Sequence, residues 1–229
     1  MEVKLIARSR LEEEFEEQIL DEILKYNISD GQAIAMTAIR TCYSHLKPTE
    51  ILKAEAHKYF GRPASDGLGG TDADRLIRHI MQSGHTSTVE HLFFTFSIEG
   101  ISRSCLAQLT RHRVGYSYSV QSQRYVKFST KSRSGGYEAV VPPSIQNKLE
   151  AIGTYFEILN VIQEGYDKLQ SLGISAEDAR MLLPNAAKCN VVFSCNLRGA
   201  LEFYHREVQR KSRLKAHGFN RGMKDGVAW

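Results

Sequence analysis

Apolar residues along this chain recur mostly at helical intervals, interrupted by a few short runs with the character of strands. Val3 to Ala7 reads as a short strand, and the acidic segment from Leu11 to Tyr26 places Leu, Phe and Ile at helical spacing, which predicts a solvated amphipathic helix. Asp30 offers an N-cap to a second helix running through Ala33, Ala35, Ala38 and Ile39 and ending near Arg40-Thr41-Cys42-Tyr43. Gly61 to Gly70, glycine-rich and containing Pro63, is a loop. Thr71 or Asp72 caps the next helix, Ala73 to Gln82, which Gly84 terminates, leaving His85-Thr86-Ser87-Thr88 as a polar segment at a helix end.

Phe93 to Ile98 is rich in aromatic and β-branched residues, as a buried strand is, and Gly100 bounds it. A short helix follows up to Thr110. Lys131 to Gly136 is a polar loop; Pro142-Pro143 opens a long helical pattern lasting to Leu172, with Gly173 as its stop. Ser175 caps a further helix that Pro184 ends. Cys189 to Cys195 alternates weakly, which predicts a strand, and Asn196 caps a final helix from Arg198. Long helices with a few scattered strands define an α+β fold, and no internal repeat or low-complexity tract divides it.

With 229 residues, 42% hydrophobic and 24% charged, the chain has material for a sizeable core, read as one domain over residues 1–205 followed by a basic tail over residues 206–229. The formal net charge is +4, and the tail alone holds seven Lys/Arg against Glu207 and Asp225. The body is therefore close to neutral, so a general nucleic-acid-binding surface is not expected and any anion site is local. No apolar run reaches the roughly 20 residues that cross a bilayer, and the first residues lack the layout of a secretory signal, so a cytoplasmic location is expected. Cys42, Cys105, Cys189 and Cys195 form no CxxC pair, which disfavours a disulfide framework or a zinc site.

The densest chemistry lies between Arg111 and Arg124, where three guanidiniums, an imidazole and several hydroxyls fall within fourteen residues. Guanidinium forks match phosphate or carboxylate, so the cluster suits an anionic ligand, although Arg111-His112-Arg113 alone also fits a solvated basic turn. His85 and His91 flank Glu90 without the spacing of a metal motif, and no metal is expected. Arg180 falls in an apolar context and calls for an anionic partner, either a carboxylate or a ligand phosphate. Asn196 and Arg198 lie at a strand-to-helix junction, which favours anions. No GxSxG elbow accompanies Ser117, Ser119 or Ser122, and there is no Walker loop or strand-bound GxGxxG.

Arg111-His112-Arg113, Ser117-Tyr118-Ser119 and Ser122-Gln123-Arg124-Tyr125 together resemble the signature of flavin-dependent thymidylate synthase, the thymidylate synthase complementing protein family. Matches elsewhere are Arg40-Thr41-Cys42-Tyr43, Gly84-His85 with Glu90-His91, Gln108, Arg180 with Leu183-Pro184, and Asn196-Leu197-Arg198. The resemblance implies a single domain of long helices around a small, mostly antiparallel sheet, and a homotetramer whose subunits share each active site. It implies methylation of dUMP to dTMP, with methylene-tetrahydrofolate as carbon donor and FAD, reduced by NADPH, as hydride source. Carried over by position, Gln108, Arg111, Val120, Gln121, Ser122, Gln123, Arg124 and Arg180 bind dUMP. His85, Ser87, Arg111, His112, Arg113, Val120, Asn196, Arg198 and Glu202 contact FAD.

Three departures mark this chain, one of them Cys42 where a small hydroxyl residue can occur and Val120 at a polar position. Eight residues separate Arg113 from Ser122 where the family has seven, and the extra one falls within Val114-Gly115-Tyr116, as a loop bulge. The arginine that polarises the uracil ring stands eleven residues after the family's asparagine; here that offset lands on Glu207, and Arg206, one position earlier, is assigned the catalytic role. Alternatives outside this enzyme class are a catalytically impaired relative that binds nucleotide or RNA, and another flavoprotein oxidoreductase.

Overall fold

The computed structural model describes residues 1–208. Its centre is a four-stranded antiparallel sheet in the order β1 (Glu2–Arg8), β2 (Phe93–Ser102), β4 (Lys188–Asn196), β3 (Tyr116–Val120). Strand residues point alternately to opposite faces, and here one face is apolar: Phe94, Phe96 and Ile98 from β2 and Val191, Phe193 and Cys195 from β4 are buried, with Phe96 and Phe193 directly opposed. The other face carries Thr95 and Ser194, joined hydroxyl to hydroxyl at 2.9 Å, beside the exposed Phe93 and Val192. Among the described residues, the sheet is thus covered on its apolar side, and Phe93 and Val192 on the other are exposed.

The helices that cover it fall into two groups. Before β2 come α1 (Glu13–Gln18), α2 (Leu20–Tyr26), α3 (Asp30–Thr41), α4 (Pro48–Tyr59) and α5 (Asp72–Gln82). Ile19, Met36, Leu52, Phe60 and Ala73 form a second core among them, while Ala35 reaches the sheet cluster. After β2 come α6 (Arg103–Leu109), the short α7 (Pro143–Gln146), α8 (Leu149–Ser171), α9 (Ala176–Ala179) and α10 (Leu197–Phe203). Phe128, Tyr166 and Ala179 make a third small core, binding the loop after β3 to α8 and α9.

The α+β class and the antiparallel sheet agree with the sequence reading, and several boundaries move. The helix read from Leu11 to Tyr26 breaks at Ile19, whose buried side chain and non-helical backbone (φ −120°, ψ 17°) separate α1 from α2. The cap of α3 is Ser29 rather than Asp30: Ser29 Oγ accepts from the Gln32 N–H at 3.3 Å while Gln32 Oε1 accepts from the Ser29 N–H at 3.1 Å. Thr71, not Asp72, caps α5. The helical pattern from Pro142 to Leu172 splits at Asn147-Lys148, and β2 continues past Gly100, which occupies a positive φ in an irregularity between Ile98 and Ile101. Two elements were not anticipated, α4 and β3. The tail assigned to residues 206–229 lies outside the described residues from 209 onward. Among the described residues, no helix is long and apolar enough to cross a membrane.

Arg40 on α3 and Glu55 on α4 lock the first helical group. Arg40 Nε lies 2.6 Å from Glu55 Oε2, and Ser44 Oγ donates to Glu55 Oε1 at 3.0 Å. The Arg40 N–H holds the Glu55 carboxyl below the usual glutamate range against the opposing effect of burial. A depressed carboxyl contributes stability above its unfolded pKa, and that contribution is lost as pH falls through the folded value. Glu55→Gln is expected to lower unfolding stability by about 2–3 kcal/mol at neutral pH, because it leaves Arg40 charged without its counterion. The gap from wild type narrows toward about pH 4; urea unfolding of both proteins at the two pH values measures it.

Candidate functional site

The residues singled out in the sequence gather at the two ends of β3. At its first end the chain turns through Arg111 to Gly115, and neutral groups hold this turn. The Tyr118 hydroxyl donates to the carbonyls of Leu109 (2.9 Å) and His112 (2.8 Å), and the Tyr116 hydroxyl donates to the Gly199 carbonyl at the start of α10. Burial pushes both phenols well above their ordinary pKa. His112 is half-buried, its ring edge-on to Phe203 at 4.9 Å. Arg111 and Arg113 are exposed, with no ion pair to either among the described residues.

Gly115 shapes this turn. Its φ is +79°, a region open to glycine, and its carbonyl accepts from the Asn196 N–H at 3.2 Å. A Cβ there would lie 2.8 Å from Asn196 Oδ1, the atom that caps α10 by accepting from the Gly199 N–H at 2.8 Å. The close approach of turn to cap fixes the arginine turn against the β4–α10 junction.

From that junction a chain of charges extends. Arg198 Nη1 donates to Glu90, Arg198 Nε donates to Glu202 at 3.2 Å, and Arg206 Nη2 lies 3.7 Å from the other oxygen of Glu202. Arg206 sits on the widened helical turn Tyr204–Val208 that continues α10, exposed. Glu90 ends the short 3₁₀ turn Thr86–Val89 that carries Ser87. His85, just before that turn, bonds the Tyr43 hydroxyl through Nδ1 at 3.0 Å, and the Tyr43 carbonyl receives Arg40 Nη2 at 3.4 Å, which ties His85 to the Arg40–Glu55 lock. Beside Ser87 a cleft of about 610 Å³ is lined by Thr37, Thr41, Cys42, Thr88 and His91.

Val120, Gln121, Ser122, Gln123 and Arg124 lie at the far end of β3. Gln121 is held on both sides, its N–H donating to the Asn190 carbonyl (2.9 Å) and its carbonyl accepting from Arg103 Nη2 (2.6 Å). Ser122 Oγ accepts from the Arg124 N–H at 3.2 Å, and Arg124 pairs with Glu177. Arg180 departs from expectation: it is partly exposed and pairs with no carboxylate among the described residues, its Nε donating instead to the Glu177 carbonyl at 3.0 Å. The 3₁₀ turn Arg180–Leu182 leaves the guanidinium at the surface, so its charge needs no internal counterion.

His85, Ser87, Arg111, His112, Arg113, Asn196, Arg198, Glu202 and Arg206 therefore share one end of the sheet, joined there by Gln108, which is exposed on the last turn of α6. Val120 to Arg124 and Arg180 share the other. At about 3.3 Å per residue, β3 holds the two sets about 13 Å apart. The two half-sites expected from the sequence thus lie at opposite ends of β3.

A sequence model of the family described as thymidylate synthase complementing protein matches residues 22–213. The chain belongs to that family. The flavin-dependent thymidylate synthase of Geobacter sulfurreducens is 35% identical over 175 residues, spanning 76% of this chain and 68% of that protein. Its counterpart in Clostridium tetani is 31% identical over 198 residues, covering 80% and 71%. Among solved structures, flavin dependent thymidylate synthase ThyX from Helicobacter pylori, complexed with FAD and dUMP, has a TM-score of 0.64 at 21% identity and covers 100% of this chain and 94% of its own. That likeness shows that the fold is the family's.

Sequence reasoning missed Tyr116 and Tyr118 as anchors, Glu177 and Arg103 as the partners of the second set, and Thr37 and Thr41 as cleft residues. The alternation in Tyr-Ser-Tyr-Ser-Val was the available signal for β3. Gly115→Ala is expected to cost about 2–3 kcal/mol, combining left-handed strain with a displaced cap. In an Asn196→Gly background the same substitution should cost at least about 1 kcal/mol less; a thermal-unfolding double-mutant cycle measures the coupling.

Proposed function

We propose that the protein methylates dUMP to dTMP, taking the one-carbon unit from methylene-tetrahydrofolate and using FAD kept reduced by NADPH. The observation that carries this reading is the sorting of charged residues to the two ends of β3 in a chain of this family. At the first end, Arg198 and Arg206 pair with Glu90 and Glu202 while Arg111 and Arg113 have no ion pair among the described residues, so positive charge remains to suit the phosphates of a flavin dinucleotide. FAD, when bound, supplies the hydride that completes the new methyl group. His85, Ser87, Arg111, His112, Arg113, Asn196, Arg198 and Glu202 would hold it, with Val120 in backbone contact.

Ser122, Gln123, Arg124 and Arg180 at the other end, with Val120 and Gln121, would grip dUMP; Gln108 and Arg111 would meet it from the flavin side. The span of β3 between these sets favours a site that joins the first end of one subunit to the second end of another. This supports a homotetramer with shared sites, and apolar surface is available for it: Phe156, Ile158 and Val161 of α8 and Phe93 of the open sheet face are all exposed. Arg206, at the flavin end, would polarise the uracil ring. The three buried thiols and the exposed Cys42 are free, as suits a protein working in the reducing cytoplasm.

Purified protein should carry FAD and form dTMP from dUMP, methylene-tetrahydrofolate and NADPH. A colourless preparation that cannot be reconstituted with FAD, yet binds RNA with steep salt dependence, would overturn the reading. Arg206→Ala should abolish dTMP formation while NADPH still reduces the flavin, followed by flavin absorbance. Arg124→Ala and Arg198→Ala chains, each inactive alone, should recover activity when co-assembled, because some shared sites then draw both intact halves from different subunits. No recovery in verified mixed assemblies would place both halves of a site in one chain.

A further inference from the structure

Glu177 lies outside every residue set assigned above, yet Arg124 and Arg180, the two guanidiniums assigned to substrate at the second end, converge on it. Its Oε1 pairs with Arg124 Nε at 2.8 Å, and its own backbone carbonyl accepts from Arg180 Nε at 3.0 Å. One residue thus engages the same nitrogen of both arginines. An arginine held through Nε keeps its two terminal nitrogens as a free fork, the face that matches two oxygens of a phosphate.

The frame around Glu177 is fixed. Ala176 and Ala179 on either side are buried, Ala179 within the third core against Phe128 and Tyr166. Ser175 caps α9 by accepting from the Asp178 N–H at 3.2 Å. Arg124 starts from a backbone pinned by Ser122, and its guanidinium lies 5.7 Å from the Tyr125 ring. The charge of Glu177 also offsets one of the two positive charges, which lowers the mutual repulsion of the guanidiniums.

We infer that Glu177 is a positioning residue for substrate: it sets Arg124 and Arg180 side by side, with their terminal nitrogens free for the nucleotide phosphate. The inference rests on the assignment of dUMP to this end of β3. A carboxylate that merely competed with the phosphate for Arg124 would do the opposite, and binding measurements separate the two.

The test uses the full-length, FAD-loaded protein, with dUMP affinity and steady-state kinetics measured for wild type, Glu177→Ala and Glu177→Gln. Glu177→Ala should raise the Kd and KM for dUMP about fivefold, in keeping with a half-exposed ion pair, with kcat falling by less and FAD affinity unmoved. Glu177→Gln keeps the side chain's length and an oxygen beside Arg124 Nε, and should recover at least half of that loss. Unchanged or tighter dUMP binding in Glu177→Ala would overturn the inference, as would a parallel loss of FAD. Wild-type protein that bound no dUMP would overturn the functional reading itself, a result distinct from equal binding by wild type and variant.

Discussion

The pairing of β2 with β4 is the constraint on which the rest of the molecule depends. These two central strands bury the Phe96–Phe193 stack (ring centroids 6.0 Å apart) and supply the neighbours of both outer strands. Every part of the first site end leaves from them: the Ser87 turn runs into β2, α6 carries the chain from β2 to the arginine turn, and α10 continues β4. A one-residue slip in this pairing would send the Phe94, Phe96 and Ile98 side chains to the open face and move Asn196 from its place opposite Phe93. Core and chemistry therefore share one register.

Much of this was legible in the sequence, and the exceptions have physical causes. The buried strands announced themselves through aromatic and β-branched runs, and the helix from Asn196 through its cap. α4 was passed over because its residues, Pro-Thr-Glu-Ile-Leu-Lys-Ala-Glu-Ala-His-Lys-Tyr, bury a polar member, Glu55, and so blur the apolar periodicity. Glu55 is buried because Arg40 neutralises it, and that pairing is a tertiary fact absent from local pattern. β3 was hidden by its chemistry: serine and tyrosine hydroxyls suggested ligand contacts, yet the tyrosines face inward as anchors.

The site residues were identifiable by type and spacing, whereas their arrangement was not. Closeness in sequence suggested two adjoining half-sites at Arg111 and Arg124, and the extended strand β3 sets the spacing between them. Arg180 shows the converse. It lies far along the chain from Arg124, and the third core brings α9 beneath the loop after β3, so that both guanidiniums meet one glutamate. Sequence distance does not give spatial distance in either case, because β3 is extended and α9 is folded back.

The tethers of the arginine turn differ in kind from the charges they display. Tyr116 and Tyr118 hold it through neutral hydroxyls whose ionisation is displaced far to the alkaline side, and Asn196 and Gly115 close it through amides. None of these bonds responds to the counterion atmosphere, which acts at a range of about 8 Å on exposed charges at physiological ionic strength. The guanidiniums of Arg111 and Arg113 feel that screening in full. Shape and attraction are thus decoupled at this end of the molecule: the electrolyte alters how strongly an anion is drawn in, and leaves unaltered the contour that receives it.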